Sequence, residues 1–119
     1  MANPNIAALT TINGNTQVQA VTTSAAAIAT NPSSSGMILK INSLIISNIH
    51  ATSAADITVD LFRSATAYKI INTVSVAADT SFTAIDKTLS IYLLEGDSLR
   101  LTASTNSILQ AVCSFEEIS

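Results

Sequence analysis

Charged side chains are scarce in this sequence, at 11% or about half the usual share, and none occurs before Lys40. The five basic residues, Lys40, Arg63, Lys69, Lys87 and Arg100, are scattered among eight acidic ones, and the net charge is -3. Affinity for a phosphate backbone needs concentrated positive charge, so no nucleic-acid partner is expected. Cysteine occurs once, at Cys113, which excludes an intrachain disulfide and points to a buried structural thiol. Tryptophan is absent and aromatic residues make up 4%, which removes the several stacking platforms on which a lectin usually holds sugar rings. Apolar runs such as Leu44-Ile45-Ile46 and Ile91-Tyr92-Leu93-Leu94 fall far short of the ~20 residues that span a bilayer, so no membrane partner is expected. Met1 to Asn5 has neither the basic residues nor the apolar core of an export signal, and assembly in the cytosol is the expectation.

Groupings that carry chemistry are also missing. His50 is the only imidazole and has no cysteine or second histidine beside it to complete a metal set, so it reads as a solvated loop residue. Asp56 and Asp60 alternate with Thr58 and share one face of a strand. Hard-cation loops crowd more oxygens into fewer residues, so this row reads as a solvated sheet face. No serine sits in a nucleophile elbow, and no glycine-rich phosphate loop occurs. The expectation is therefore a non-enzyme, with no catalytic residue, no cofactor and no metal. Glu95-Gly96-Asp97 reads as a turn in which Gly supplies positive φ and Asp accepts backbone N–H bonds.

What the sequence has in quantity is β-branched and aliphatic residues, 48% hydrophobic overall in a single-domain length of 119 residues. They are densest from Met37 to Phe62, a stretch that reads as two adjacent strands of one buried sheet joined by a short loop at His50 to Ala55. Within it Leu39 and Ile41 share one face while Leu44 and Ile46 share the other. Either a bulge at Asn42-Ser43 shifts the register, or both faces are buried, one of them by a neighbouring subunit; the second is favoured.

Downstream, Tyr68, Ile70, Val74 and Val76 alternate with polar residues, and Ala77 to Thr80 turns into a strand carrying Phe82 and Ala84. Leu89, Ile91 and Leu93, the Glu95-Gly96-Asp97 turn, and Leu99, Leu101 and Ala103 read as a hairpin. Leu109, Ala111, Cys113 and Phe115 form a last inward row. Many short strands without long helices predict an all-β fold: an antiparallel β-sandwich, jelly-roll-like, of about eight strands. Its domain is expected over residues 23–119, with residues 1–22 as an extended N-terminal arm.

In that arm Asn13-Gly14 favours a hairpin turn between Ile6 to Ile12 and Thr16 to Thr22. Ser24 to Ala29 is either a helical turn or a strand, and Asn31 to Gly36 is a loop. The arm has no charge to solvate it and too few apolar groups for a core. It is expected to lie on the strand edge of a neighbouring subunit, with Ile6, Leu9, Ile12 and Val18 as interface residues.

Ile38-Leu39-Lys40-Ile41-Asn42-Ser43-Leu44, Ala55 to Asp60, Leu94 to Leu101 and Ser114-Phe115-Glu116-Glu117-Ile118 carry a resemblance in their order and spacing. Over residues 35–119 the chain resembles small β-sandwich virion structural proteins of tailed bacteriophages, particularly marine and cyanobacterial ones. The resemblance implies a virion component, and the combination of few charges, short strands, an uncharged arm and no chemistry favours a capsid decoration or cement subunit among the virion positions. Its implied partners are copies of itself and other virion proteins, the major capsid protein first. A tail, neck or baseplate accessory protein, or a glycan-binding module on a tail fibre, is the alternative.

Overall fold

The computed structural model describes residues 11–119. They form nine strands: β1 (Ile12–Ala20), β2 (Ala26–Thr30), β3 (Ile38–Asn48), β4 (Ala55–Arg63), β5 (Thr66–Val76), β6 (Ser81–Ile85), β7 (Ile91–Leu93), β8 (Ser98–Ala103) and β9 (Leu109–Ile118). One 3-10 turn, Lys87–Leu89, separates β6 from β7. The first sheet runs β1-β9-β3-β6, with β7 also on β3, and the second runs β2-β8-β4-β5. β6 pairs with Leu44 to Ser47 of β3, and β7 with Leu39 to Ile41. The two therefore act as one interrupted strand. With that count the order is that of an eight-stranded jelly roll, the antiparallel sandwich expected.

The core is aliphatic. Leu39, Ile41, Leu44 and Ile46 of β3 and the β9 row Leu109, Ala111, Cys113 and Phe115 belong to one buried cluster with Ile57 and Val59 of β4 and Leu99 and Leu101 of β8. Full burial of each Leu or Ile contributes about 1.5–3 kcal/mol. The Cys113 thiol lies inside this cluster, as expected, and burial pushes its pKa up to about 12.

Several sequence expectations are corrected. β3 and β4 are not adjacent strands of one sheet; they are interior strands of opposite sheets. Likewise β7 and β8 do not form a hairpin, because the turn between them carries the chain from the first sheet to the second. An arch between two sheets keeps both inward rows on the core, so it shows the same alternation as a hairpin. The phase change in β3 is a bulge: Ile41 pairs with Phe115 and Ser43 with Ser114, leaving Asn42 extra. All four aliphatics of β3 then face the core, and no neighbouring subunit is needed to bury them.

Asn13-Gly14 makes no turn. It lies inside β1, whose nine residues pair with β9 without interruption, and nine ladder positions outweigh the local preference of one dipeptide. Ser24 to Ala29 resolves as a strand in its second half. The described part of the expected arm thus belongs to the sandwich of its own chain.

Candidate assembly interface

The two sheets have four edges, and three of them are blunted. The β6–β7 edge is interrupted by the 3-10 turn. β2 has five residues and a register shift between Ala27 and Ala29. β5 is long but carries Lys69 and a bulge in which Thr73 takes φ 49°. Short strands, interruptions, bulges and lysines are the usual protection against edge-to-edge pairing.

β1 has none of these. It matches β9 residue for residue from Ile12 opposite Ile118 to Ala20 opposite Gln110, with no proline or charge. Its other edge meets no strand among the described residues. On the outer face, Val18, Val112 and Ile45 stand directly opposite one another across β1, β9 and β3, at 74%, 40% and 38% exposure. The rows on either side, Thr16, Ser114 and Ser43, and Ala20, Gln110 and Ser47, are uncharged. A shallow groove of about 260 Å3 runs along Val18 to Ala20 and Gln110 to Val112.

Of the four interface residues expected from sequence, Val18 lies in this row and Ile12, 63% exposed, lies at the start of the same strand. Ile6 and Leu9 lie outside the described residues. Val112 and Ile45 had no signal of their own, because each is the outward member of a strand read for its inward row. The inward side of β1 is polar, and Gln19 Nε2 donates to the Ala27 carbonyl at 2.9 Å, tying β1 to β2. Gln19 Oε1 is buried without a partner.

A second feature closes one end of the sandwich. The Asn31 amide donates to the Asp97 carbonyl (2.9 Å), and the Asn31 carbonyl accepts from Gly96 N–H (2.8 Å). Gly96 holds φ 88°, a conformation that costs a residue with a Cβ. The Asp97 carboxylate accepts from Leu94 N–H (2.8 Å), as read from the turn. It also accepts a fork from Arg63, Nε to Oδ1 at 2.9 Å and Nη2 to Oδ2 at 2.5 Å. That hydrogen-bonded carboxylate raises the guanidinium's pKa from its ordinary value. Glu95 Oε2 accepts from Gly36 N–H at 2.8 Å. Beside these groups lies an open cleft of about 400 Å3 lined by Ser33, Arg63, Ser64, Leu94, Glu95 and Asp97.

The other polar residues singled out in the sequence have structural partners. Asp60, expected on a solvated face, is 1% exposed and paired with Arg100 (2.9 Å), whose guanidinium stacks 4.0 Å over the Phe62 ring. Asp56 is only half-buried, and its amide N–H donates to the Ser104 hydroxyl at 2.8 Å. His50 is exposed, and its Nδ1 accepts from the amides of Thr52 (3.1 Å) and Ser53 (3.0 Å), so it shapes its own loop.

No protein-family model matches the chain, and no curated protein matches it. Among solved structures, the chain is similar to a subunit of Bacillus endospore appendages, described as a novel family of disulfide-linked pili. The TM-score is 0.51 at 14% identity, over 90% of this chain and 85% of that one. At that identity the likeness is one of fold, and the fold it shares is the antiparallel sandwich described above.

Proposed function

We propose that this chain is a structural subunit of a multi-copy particle, joined to its neighbours through the β1 edge and the Val18–Val112–Ile45 row beside it. The observation that carries this reading is the uninterrupted, uncharged β1 edge in a molecule whose other three edges are blunted. A strand laid on β1 gains main-chain hydrogen bonds along its length, and the adjacent apolar row supplies burial at about 25 cal/mol per Å2. β1 packs against β2, and β5 against β6, so the two longest edges lie on opposite flanks. Contact between unlike edges leaves one edge open at each end and propagates; contact between like edges closes a dimer.

The phage resemblance gives the setting: a capsid decoration or cement subunit that stabilises the particle through such contacts, or an accessory protein of tail, neck or baseplate. The sandwich of the endospore appendages, itself a pilus component, supports a structural role for this architecture. The linkage differs in kind here. The single cysteine is fully buried, so association is non-covalent.

Light scattering after size exclusion, over a range of concentrations, tests the reading. The wild-type chain is expected to associate, and Val18→Lys to remain folded by circular dichroism but monomeric. A strictly monomeric wild type, or a Val18→Lys variant that associates as tightly, would overturn it. Immunogold labelling of virions tests the setting.

A further inference from the structure

The β1 edge is selective about the strand it can take. Thr11 N–H donates to the Ser119 carbonyl and Ser119 N–H to the Thr11 carbonyl, both at 2.8 Å, and Val21 N–H donates to the Leu109 carbonyl at 2.9 Å. In an antiparallel ladder, residues bonded to one neighbour alternate with residues whose polar groups point the other way. Odd-numbered residues of β1 therefore bond to β9, and the N–H and C=O groups of Ile12, Gly14, Thr16, Val18 and Ala20 point to the open edge. The same residues carry their side chains on the outer face, whereas Asn13, Asn15, Gln17 and Gln19 lie on the inner face.

We infer that the strand it takes is β1 of a second copy, antiparallel and centred on Asn15; this rests on the assembly reading above and names the partner within it. Main-chain pairing at the open edge sets an even-numbered residue opposite an even-numbered one, so outer face meets outer face and amide row meets amide row. Among those registers, the one with Asn15 opposite Asn15 also sets Val18 opposite Ile12, the two large apolar side chains of β1, at 74% and 63% exposure. A slip of two residues in one direction sets Val18 opposite Gly14 instead, and in the other sets Ile12 opposite Thr16. On the inner face Asn13 meets Gln17, and side-chain amides donate and accept at once.

Neighbouring strands fit the same register. Ile45, Val112 and Val18 of one copy run on into Ile12, Ile118 and Ile38 of the other, an apolar row across two joined sheets that the two-fold symmetry repeats. The charges agree. The Glu116 row continues into Thr16 and Ser114 of the second copy and the Glu117 row into Gln17 and Cys113, so no two carboxylates come to stand opposite each other. β5, the other long edge, offers β1 no such run, because its ladder with β4 shifts register twice and it carries Lys69. The two-fold contact consumes both β1 edges, and its product is a closed dimer, the building unit of the particle.

Methyl NOE spectroscopy on a mixture of differently labelled copies of the full chain tests this, at up to about 1 mM because one strand pair is a small interface. Val18 and Ile12 of one chain lie about 20 Å apart along the extended strand, so an NOE between their methyls is expected only from the dimer. Asn15→Cys is expected to give a disulfide-linked dimer on mild oxidation, whereas Asn13→Cys and Gln17→Cys stay unlinked alone and link when mixed. The buried Cys113 does not compete. Ile12→Lys and Val18→Glu are each expected to be monomeric, and their equimolar mixture to recover the dimer. A wild type that associates and is made monomeric by Val18→Lys, yet shows neither the Val18–Ile12 NOE nor the Asn15→Cys link, would overturn this pairing and leave the assembly reading standing. Self-linking of Asn13→Cys and Gln17→Cys as readily as Asn15→Cys would mean parallel strands and overturn it as well. A strictly monomeric wild type overturns both.

Discussion

Ile41 and Ser43 of β3 face consecutive residues of β9, Phe115 and Ser114, and Asn42 is left over between them. Its side chain leaves the ladder and donates to Glu116 Oε1 at 3.0 Å. This single extra residue keeps Leu39 and Ile41 on the same side as Leu44 and Ile46. Deleting Asn42 is expected to send one of those pairs to the surface and to unfold the protein, because two Leu or Ile side chains lose about 3–6 kcal/mol of burial together. Asn42→Ala, which removes only the bond to Glu116, is expected to cost about 1 kcal/mol. Urea denaturation of the two variants distinguishes them. A deletion variant as stable as Asn42→Ala would contradict this account of the bulge.

The pairing of Arg63 with Asp97 is expected to matter more than its place near the surface suggests. Asp97 is 2% exposed and also holds the Leu94 amide, so Arg63→Ala leaves a carboxylate enclosed without its counter-charge. A loss of about 2–4 kcal/mol is expected in chemical denaturation, and about 2 kcal/mol for Asp97→Asn. The double variant should lose less than the sum of the two.

Alkaline stability should depend on Cys113. The buried thiol has a folded pKa of about 12 against 9.0 for an exposed one, so its contribution is complete below pH 9 and is lost as pH rises toward 12. The difference sets an upper bound of about 4 kcal/mol. Comparing stability from pH 8 to 11 in wild type and Cys113→Ala isolates it from the titration of lysines and tyrosines. The variant should lose less stability over that range, and the native thiol should not react with a disulfide reagent.

The β4–β5 hairpin turns on Ser64 and Ala65, which take φ 52° and 60° with Arg63 and Thr66 as the closing pair. A two-residue turn with both residues at positive φ is the hairpin connection that Asn-Gly serves best. Ala65→Gly is expected to raise stability by about 1 kcal/mol, readable as a rise in the denaturation midpoint at unchanged slope.

Much of the sandwich was readable because period-two alternation survives any strand order. Leu109, Ala111, Cys113 and Phe115 were placed inward correctly on that signal alone. Strand pairing was not readable, since β7 and β8 present the same alternation whether they return in one sheet or arch between two. The β4–β5 turn was invisible because Ser64-Ala65 lacks the residues that advertise it, whereas Asn13-Gly14 advertised a turn that β9 suppresses. At the cleft, Asp97 was found through its turn. Arg63 was not joined to it, because a contact across thirty-four residues leaves no local pattern.

β9, the last strand of the domain to be synthesised, lies between β1 and β3 and supplies the only ladder that joins them. On the ribosome, β1 therefore waits for β9, its one strand partner among the described residues, while nearly the whole domain is made. The first sheet is completed only when residues 109–118 are available to insert between β1 and β3. Until then the strand most able to recruit a neighbour is also the one least protected. Subunits made close together on one message have their best opportunity for mispairing during that interval.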